Sequence, residues 1–148
     1  MGGKPKKGEA LQIPVHAGSR LSSEALNVLE DKLSWEPPVD IYETDETFVV
    51  NAELPGVESK DIRIEVCESV LSISGERRFE AACSRESYHR LEGTRGRFHR
   101  IFALPESLNN TETQAQLKDG VLQVIIPKSP RPPRGPNSSQ PAKSGAGV

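Results

Sequence analysis

The chain has 148 residues, a formal net charge of -2, two cysteines and a hydrophobic fraction of 34%. That length suits one domain with extensions, the low apolar content leaves part of it outside any core, and the balanced charge excludes a global basic field for nucleic acid or membrane. Cys67 and Cys83 are too few for a disulfide framework, no apolar run reaches spanning length, and the first eight residues lack the apolar core of a secretory leader, so the expected compartment is the reducing cytoplasm.

Residues 1–35 read as a flexible arm. Its first twenty residues are polar and basic apart from one apolar island, Leu11-Gln12-Ile13-Pro14-Val15. Next, Leu26, Leu29 and Leu33 recur at helical spacing, with Ser22 or Ser23 as N-cap, and Pro37-Pro38 ends the pattern. The expectation is a short amphipathic helix, too short to be stable alone, whose apolar face needs a partner.

From Val39 the period changes to two. Phe48, Val50, Ala52 and Leu54 form the first alternating set, followed by Ile62, Ile64 and Val66, then Leu71 and Ile73. Phe98, Arg100, Phe102 and Leu104 follow, then Ala115 and Leu117, then Leu122, Val124 and Ile126. Pro55-Gly56, Gly75, Pro105 and Asp119-Gly120 punctuate these runs, which predicts short antiparallel strands in a sandwich rather than βαβ units. Asp119-Gly120 between two alternating runs predicts a hairpin. The connection from Gly75 to Arg97 is long and polar, and Tyr88-His89-Arg90-Leu91-Glu92 within it has modest strand character; long loops of this kind are commonly functional. Residues 129–148 have almost nothing to bury and read as a disordered tail.

Ala115-Gln116-Leu117-Lys118-Asp119-Gly120-Val121-Leu122 resembles the small heat-shock protein signature A-x-x-x-n-G-v-L. Four further blocks resemble that family in the family's order: Asp40-Ile41-Tyr42-Glu43, Ala52-Glu53-Leu54-Pro55-Gly56-Val57, Leu71 to Arg77, and Phe98 to Pro105. The resemblance covers about residues 36–128. It implies an alpha-crystallin domain, an all-β, immunoglobulin-like antiparallel β-sandwich, and a non-enzymatic chaperone of the stress response. The long loop is similar to that of the bacterial and plant branch, which implies that the Tyr88, His89, Arg90, Leu91, Glu92 strand passes to a partner subunit beside its Tyr42 strand.

The resemblance also places Arg100 at the family's dimer-interface arginine, with Glu76, Glu86 and Glu92 as open choices of acceptor. It implies an apolar groove between Ile62, Ile64, Val66 on one edge strand and Ala115, Leu117 on another. The family's tail motif, I-x-I or I-x-V, is missing after Pro127, and no Phe, Tyr or Trp occurs in the first 34 residues. Leu11, Ile13 and Val15 have the alternate apolar spacing that such a groove accepts, so the arm is the candidate to fill it. Client contacts are expected from Leu26, Leu29, Leu33 and Trp35.

Other chemistry is not organised in this sequence. His16, His89 and His99 show no spacing that builds a catalytic site, and no Gly-x-Ser-x-Gly elbow or phosphate-binding loop is visible. Cys67, Cys83, His89 and His99 lack the paired short spacings of a structural zinc site, so no metal or cofactor is expected. Arg90, Arg95, Arg97 and Arg100 beside Phe98 invite a nucleic-acid reading, but Arg100 and Phe98 share an apolar strand face and no RNA-reading signature accompanies them. The expected partners are the chain itself, as a homodimer and a larger homo-oligomer, and unfolded client proteins, with neither nucleic acid nor membrane. The expected function is that of an ATP-independent holdase. The alternative is a co-chaperone or adaptor with a CS-type sandwich that docks one specific partner.

Overall fold

The computed structural model of the chain describes residues 8–18, 20–22, 35–80 and 82–130. Its strands are β1 (Leu11–Ile13), β2 (Val15–Gly18), β3 (Val39–Glu43), β4 (Thr47–Glu53), β5 (Ile62–Cys67), β6 (Val70–Arg77), β7 (Gly96–Ala103), β8 (Gln114–Lys118) and β9 (Val121–Pro127). They form a five-stranded sheet in the order β1-β8-β9-β4-β3 and a four-stranded sheet in the order β2-β5-β6-β7. All pairings are antiparallel except that of β2 with β5.

The alternation read in the sequence becomes the core because period-two strands present every second side chain to one face. Phe48, Val50 and Ala52 of β4 stand opposite Ile126, Val124 and Leu122 of β9. Ile64 and Val66 of β5 stand opposite Ile73 and Leu71 of β6. These side chains, with Leu54, Phe98 and Leu104, are buried between the sheets.

Two glycines fix how the layers close. Asp119 and Gly120 both have positive φ, 51° and 80°, the left-handed pair that suits a tight hairpin between β8 and β9. Leu54 N–H donates to the Gly120 carbonyl at 2.7 Å, and a Cβ on Gly120 would lie 3.1 Å from Pro55 Cα. At Gly75, a Cβ would lie 2.1 Å from the Asp61 carbonyl and 2.7 Å from Phe98 Cζ; only a residue without a side chain lets β6 pass there.

The helix over Leu26, Leu29 and Leu33 and most of the tail lie outside the described residues; among the described residues the only helical turns are 3-10 turns at Ser59–Asp61, Arg85–Ser87 and Asn110–Glu112. Tyr88 to Glu92 forms no strand in the single chain. One available edge, that of β7, is already met by Trp35, which bridges Phe98 and donates its N–H to the Arg97 carbonyl at 2.9 Å. Four polar residues of β5, β6 and β7 are buried as well: Glu65, Ser72, Ser74 and His99 are each 6% exposed or less. No helix of the described residues is long and apolar enough to cross a membrane.

Candidate functional site

β5 and β8 are neighbours across the sandwich, and each presents an edge for an added strand. Ile62, Ile64 and Val66 from β5 and Ala115 and Leu117 from β8 line the cleft between them, all of them buried. The residues that cover them come from the arm. In β1, Leu11 stands opposite Leu117, Gln12 opposite Gln116 and Ile13 opposite Ala115. In β2, Val15 runs beside Ile64, His16 beside Glu65 and Ala17 beside Val66.

Pro14 sits between the two short strands and remains exposed. Its ring fixes φ and holds the preceding residue extended, which suits a segment that leaves one sheet edge and joins the other without turning back. Ile13 is 4% exposed and belongs to the core cluster, while Leu11 and Val15 are half-buried against it. At about 25 cal/mol per Å² of apolar area, burying one such isoleucine contributes about 2 kcal/mol. The arm is thus part of both sheets, and the sandwich extends N-terminal to residue 36.

A polar system that the sequence reading missed lies on the other face of β5. The Ser22 hydroxyl donates to Glu65 Oε2 at 3.1 Å, and Arg63 Nε lies 3.3 Å from Glu65 Oε1. His99 Nε2 is 2.8 Å from Ser72 Oγ, while its buried Nδ1 has no hydrogen-bond partner. Burial holds the His99 imidazole below its ordinary pKa, partly opposed by the negative Glu65. Burial, then Glu65 and Glu68, push the Cys67 thiol up, so this cysteine stays protonated and inert, whereas Cys83 is exposed. The only sequence signal for this system was the run of small polar residues facing a histidine.

Arg100 stands beside Ile73 in register. Its Nη1 donates to the Pro37 carbonyl at 2.8 Å, and its guanidinium lies 5.2 Å from the Phe102 ring centroid. Within the chain, therefore, none of Glu76, Glu86 and Glu92 is its acceptor; Glu92 pairs with Arg90 at 2.7 Å instead. A guanidinium on an apolar strand face takes the nearest fixed acceptor, and the proline-bearing segment before β3 supplies one. Trp35 is also fixed: its indole N–H donates to the Gly96 carbonyl at 3.0 Å, its ring meets Phe98 at 5.4 Å, and the Arg77 guanidinium lies 4.0 Å over it.

Of the loop residues, Tyr88 is half-buried, while His89, Arg90, Leu91 and Glu92 are exposed. Tyr42 is 46% exposed on β3, the outer strand of its sheet. The structure does not bring Tyr42 and the loop strand together within one chain. Leu26, Leu29 and Leu33 lie outside the described residues. Among the described residues no group of three or more His, Cys, Asp or Glu is placed to hold a metal ion.

This architecture has close counterparts. The chain is 36% identical over 119 residues to a 17.8 kDa class I heat shock protein of Arabidopsis thaliana, covering 80% of this chain and 69% of that one. It is 38% identical over 112 residues to spore protein SP21 of Stigmatella aurantiaca, covering 76% and 65%; the chain thus spans about two thirds of these relatives' own length. Among solved structures, a small heat-shock protein from Xylella fastidiosa matches with 39% identity and a TM-score of 0.63, covering 72% of this chain and 98% of that one. The hspA structure from Xanthomonas axonopodis matches with 41% identity and a TM-score of 0.60, covering 66% and 98%. Residues 40–140 match the Hsp20/alpha crystallin family, and with its two-sheet sandwich this chain belongs to that family of small heat-shock proteins.

Proposed function

We propose that this protein is an ATP-independent holdase that binds unfolding proteins in the cytoplasm and keeps them from aggregating. The observation that carries the reading is the apolar cleft between β5 and β8, closed by a short strand-forming arm rather than by the body of the domain. A covering held by a few rungs and two or three apolar side chains is the kind of contact that heat loosens. Its release uncovers Ile62, Ile64, Val66, Ala115 and Leu117, and binding then proceeds by mass action without nucleotide chemistry. Leu11, Ile13 and Val15 act as the docking segment, within the subunit or on a neighbour. Leu26, Leu29, Leu33 and Trp35 add client contacts; Trp35 does so only once its hold on β7 is released.

The working unit is a homodimer, and larger assemblies build on it. The Tyr88 to Glu92 strand of one subunit pairs beside the Tyr42 strand of the other, with Arg100 near the junction. What supports this is an exposed β3 edge in the same chain as a loop strand that lacks a ladder, since unpaired edges of identical subunits satisfy each other.

The test is promiscuity. Heated with unrelated client proteins at near-stoichiometric ratio, the chain is expected to suppress light scattering from each. Failure on all of them, with tight binding to a single partner, overturns the holdase reading in favour of an adaptor.

A further inference from the structure

The loop between β6 and β7 is not loose in the single chain. The Phe79 ring lies 6.1 Å from that of Tyr88, and the Arg95 guanidinium lies 4.4 Å over Phe79. The Tyr88 hydroxyl accepts a hydrogen bond from Ala82 N–H at 3.0 Å. At the loop's far end, Arg77 Nη1 donates to the Thr94 carbonyl at 2.9 Å and to its hydroxyl at 2.8 Å. The two ends of the loop are therefore tied to each other through an aromatic-cation cluster, and Tyr88, the first residue of the segment expected to exchange, is held inside it.

We propose that this loop is a self-closing clasp that keeps the free subunit in an exchange-incompetent form, with Phe79 and Arg95 as its catch. The inference rests on the reading that residues 88–92 pass to a partner. For that to happen Tyr88 must leave both Phe79 and the Ala82 amide, so every contact of the clasp opposes exchange. The closed form is also incomplete: Leu91 stays 40% exposed and Phe79 39% exposed. A ring and a leucine left partly in water gain from burial against a partner, which is what would favour the open state once one is present. Phe79 and Arg95 lie outside the exchanging strand, so substituting them leaves that strand's own residues intact.

The experiment compares the wild-type chain with Phe79→Ser and Arg95→Gln by sedimentation on dilution, and by the rate at which labelled and unlabelled subunits mix. Aromatic pairs and cation-aromatic contacts of this kind change equilibria by a few-fold each. Because a dimer opens two clasps, Phe79→Ser is expected to tighten dimerisation about tenfold, with Arg95→Gln acting in the same direction; re-association of diluted subunits is expected to be faster in both, and mixing of preformed dimers no faster than in the wild type. Phe79 is exposed and Arg95 half-buried, and far-UV circular dichroism checks that the sandwich is intact. If a chain lacking residues 84–94 is monomeric while the two substitutions leave the dissociation constant unchanged or weaken dimerisation, the clasp is wrong and strand exchange stands. If that deleted chain still forms the same dimer, exchange itself fails and the clasp with it.

Discussion

At the scale of single residues, the most informative is His99. Its imidazole is buried on the face of β7 turned away from the core, bonded to Ser72 through Nε2 and unpartnered at Nδ1. The charged group that acts on it is Glu65 on β5; Ser72, its hydrogen-bond partner, and Ser74, opposite it in register, are neutral. Burial lowers its pKa in the folded chain, while in the unfolded chain it titrates near the ordinary value of about 6.5. The stability this represents is complete above that value. It is lost as pH falls through it toward the lower folded pKa, because the unfolded chain then binds the extra proton. The melting temperature should therefore decline as pH falls from neutral through about 6.5, beyond the decline of a His99→Gln variant that keeps a hydrogen bond to Ser72. Equal pH profiles for the two chains would remove His99 from the account. Exposed His16 and His89 serve as controls.

At the scale of elements, the arm deserves the closest measurement. Ile13 joins the buried core, whereas Val15 is only half-buried, so the two positions are not equivalent. Replacing a buried isoleucine by a small polar residue costs about 3 kcal/mol, by analogy with large-to-small core changes. The double substitution Ile13→Ser, Val15→Ser is expected to free β1 and β2, raise binding of an apolar dye, and shrink any oligomer the arm holds together. If neither dye binding nor size changes while Ile64→Ser or Leu117→Ser alters both, the cleft matters but another segment fills it. The opposite edge of the sandwich is closed in a parallel manner. Trp35 meets β7, Arg100 reaches the Pro37 carbonyl, and Pro38 accepts from the Glu53 amide at 3.0 Å before β3 begins. Segments N-terminal to the first long strand thus stitch the two sheets together along both flanks.

At the scale of the whole molecule, assembly follows from which edges remain open. Among the described residues β3 ends one sheet without a further strand, and the loop segment 88–92 has no ladder of its own. Removing residues 84–94 is expected to give monomers in light scattering while leaving both sheets in place, since the loop contributes no strand to either. The sandwich itself was legible in the sequence, because period-two alternation, Asp119-Gly120 and Gly75 are local signals with a direct steric meaning. Ile13 and Val15 were legible as an apolar island with the right spacing. Their register, Ile13 opposite Ala115 and Val15 beside Ile64, was not, because register depends on which edges stand next to each other after the sheets have formed. The Arg100 acceptor, the buried pair of His99 and Ser72, and the Phe79, Tyr88 and Arg95 cluster were equally out of reach. Each joins residues from segments whose neighbourhood is set by packing, and a polar side chain takes whichever partner the folded backbone places within about 3 Å. The sequence by itself determined the alternating strands, their turns and the family they resemble, through preferences that act over a few residues. Only the tertiary structure decided which arm residues close the cleft and which polar groups share the far face, because those contacts exist only once distant strands lie side by side.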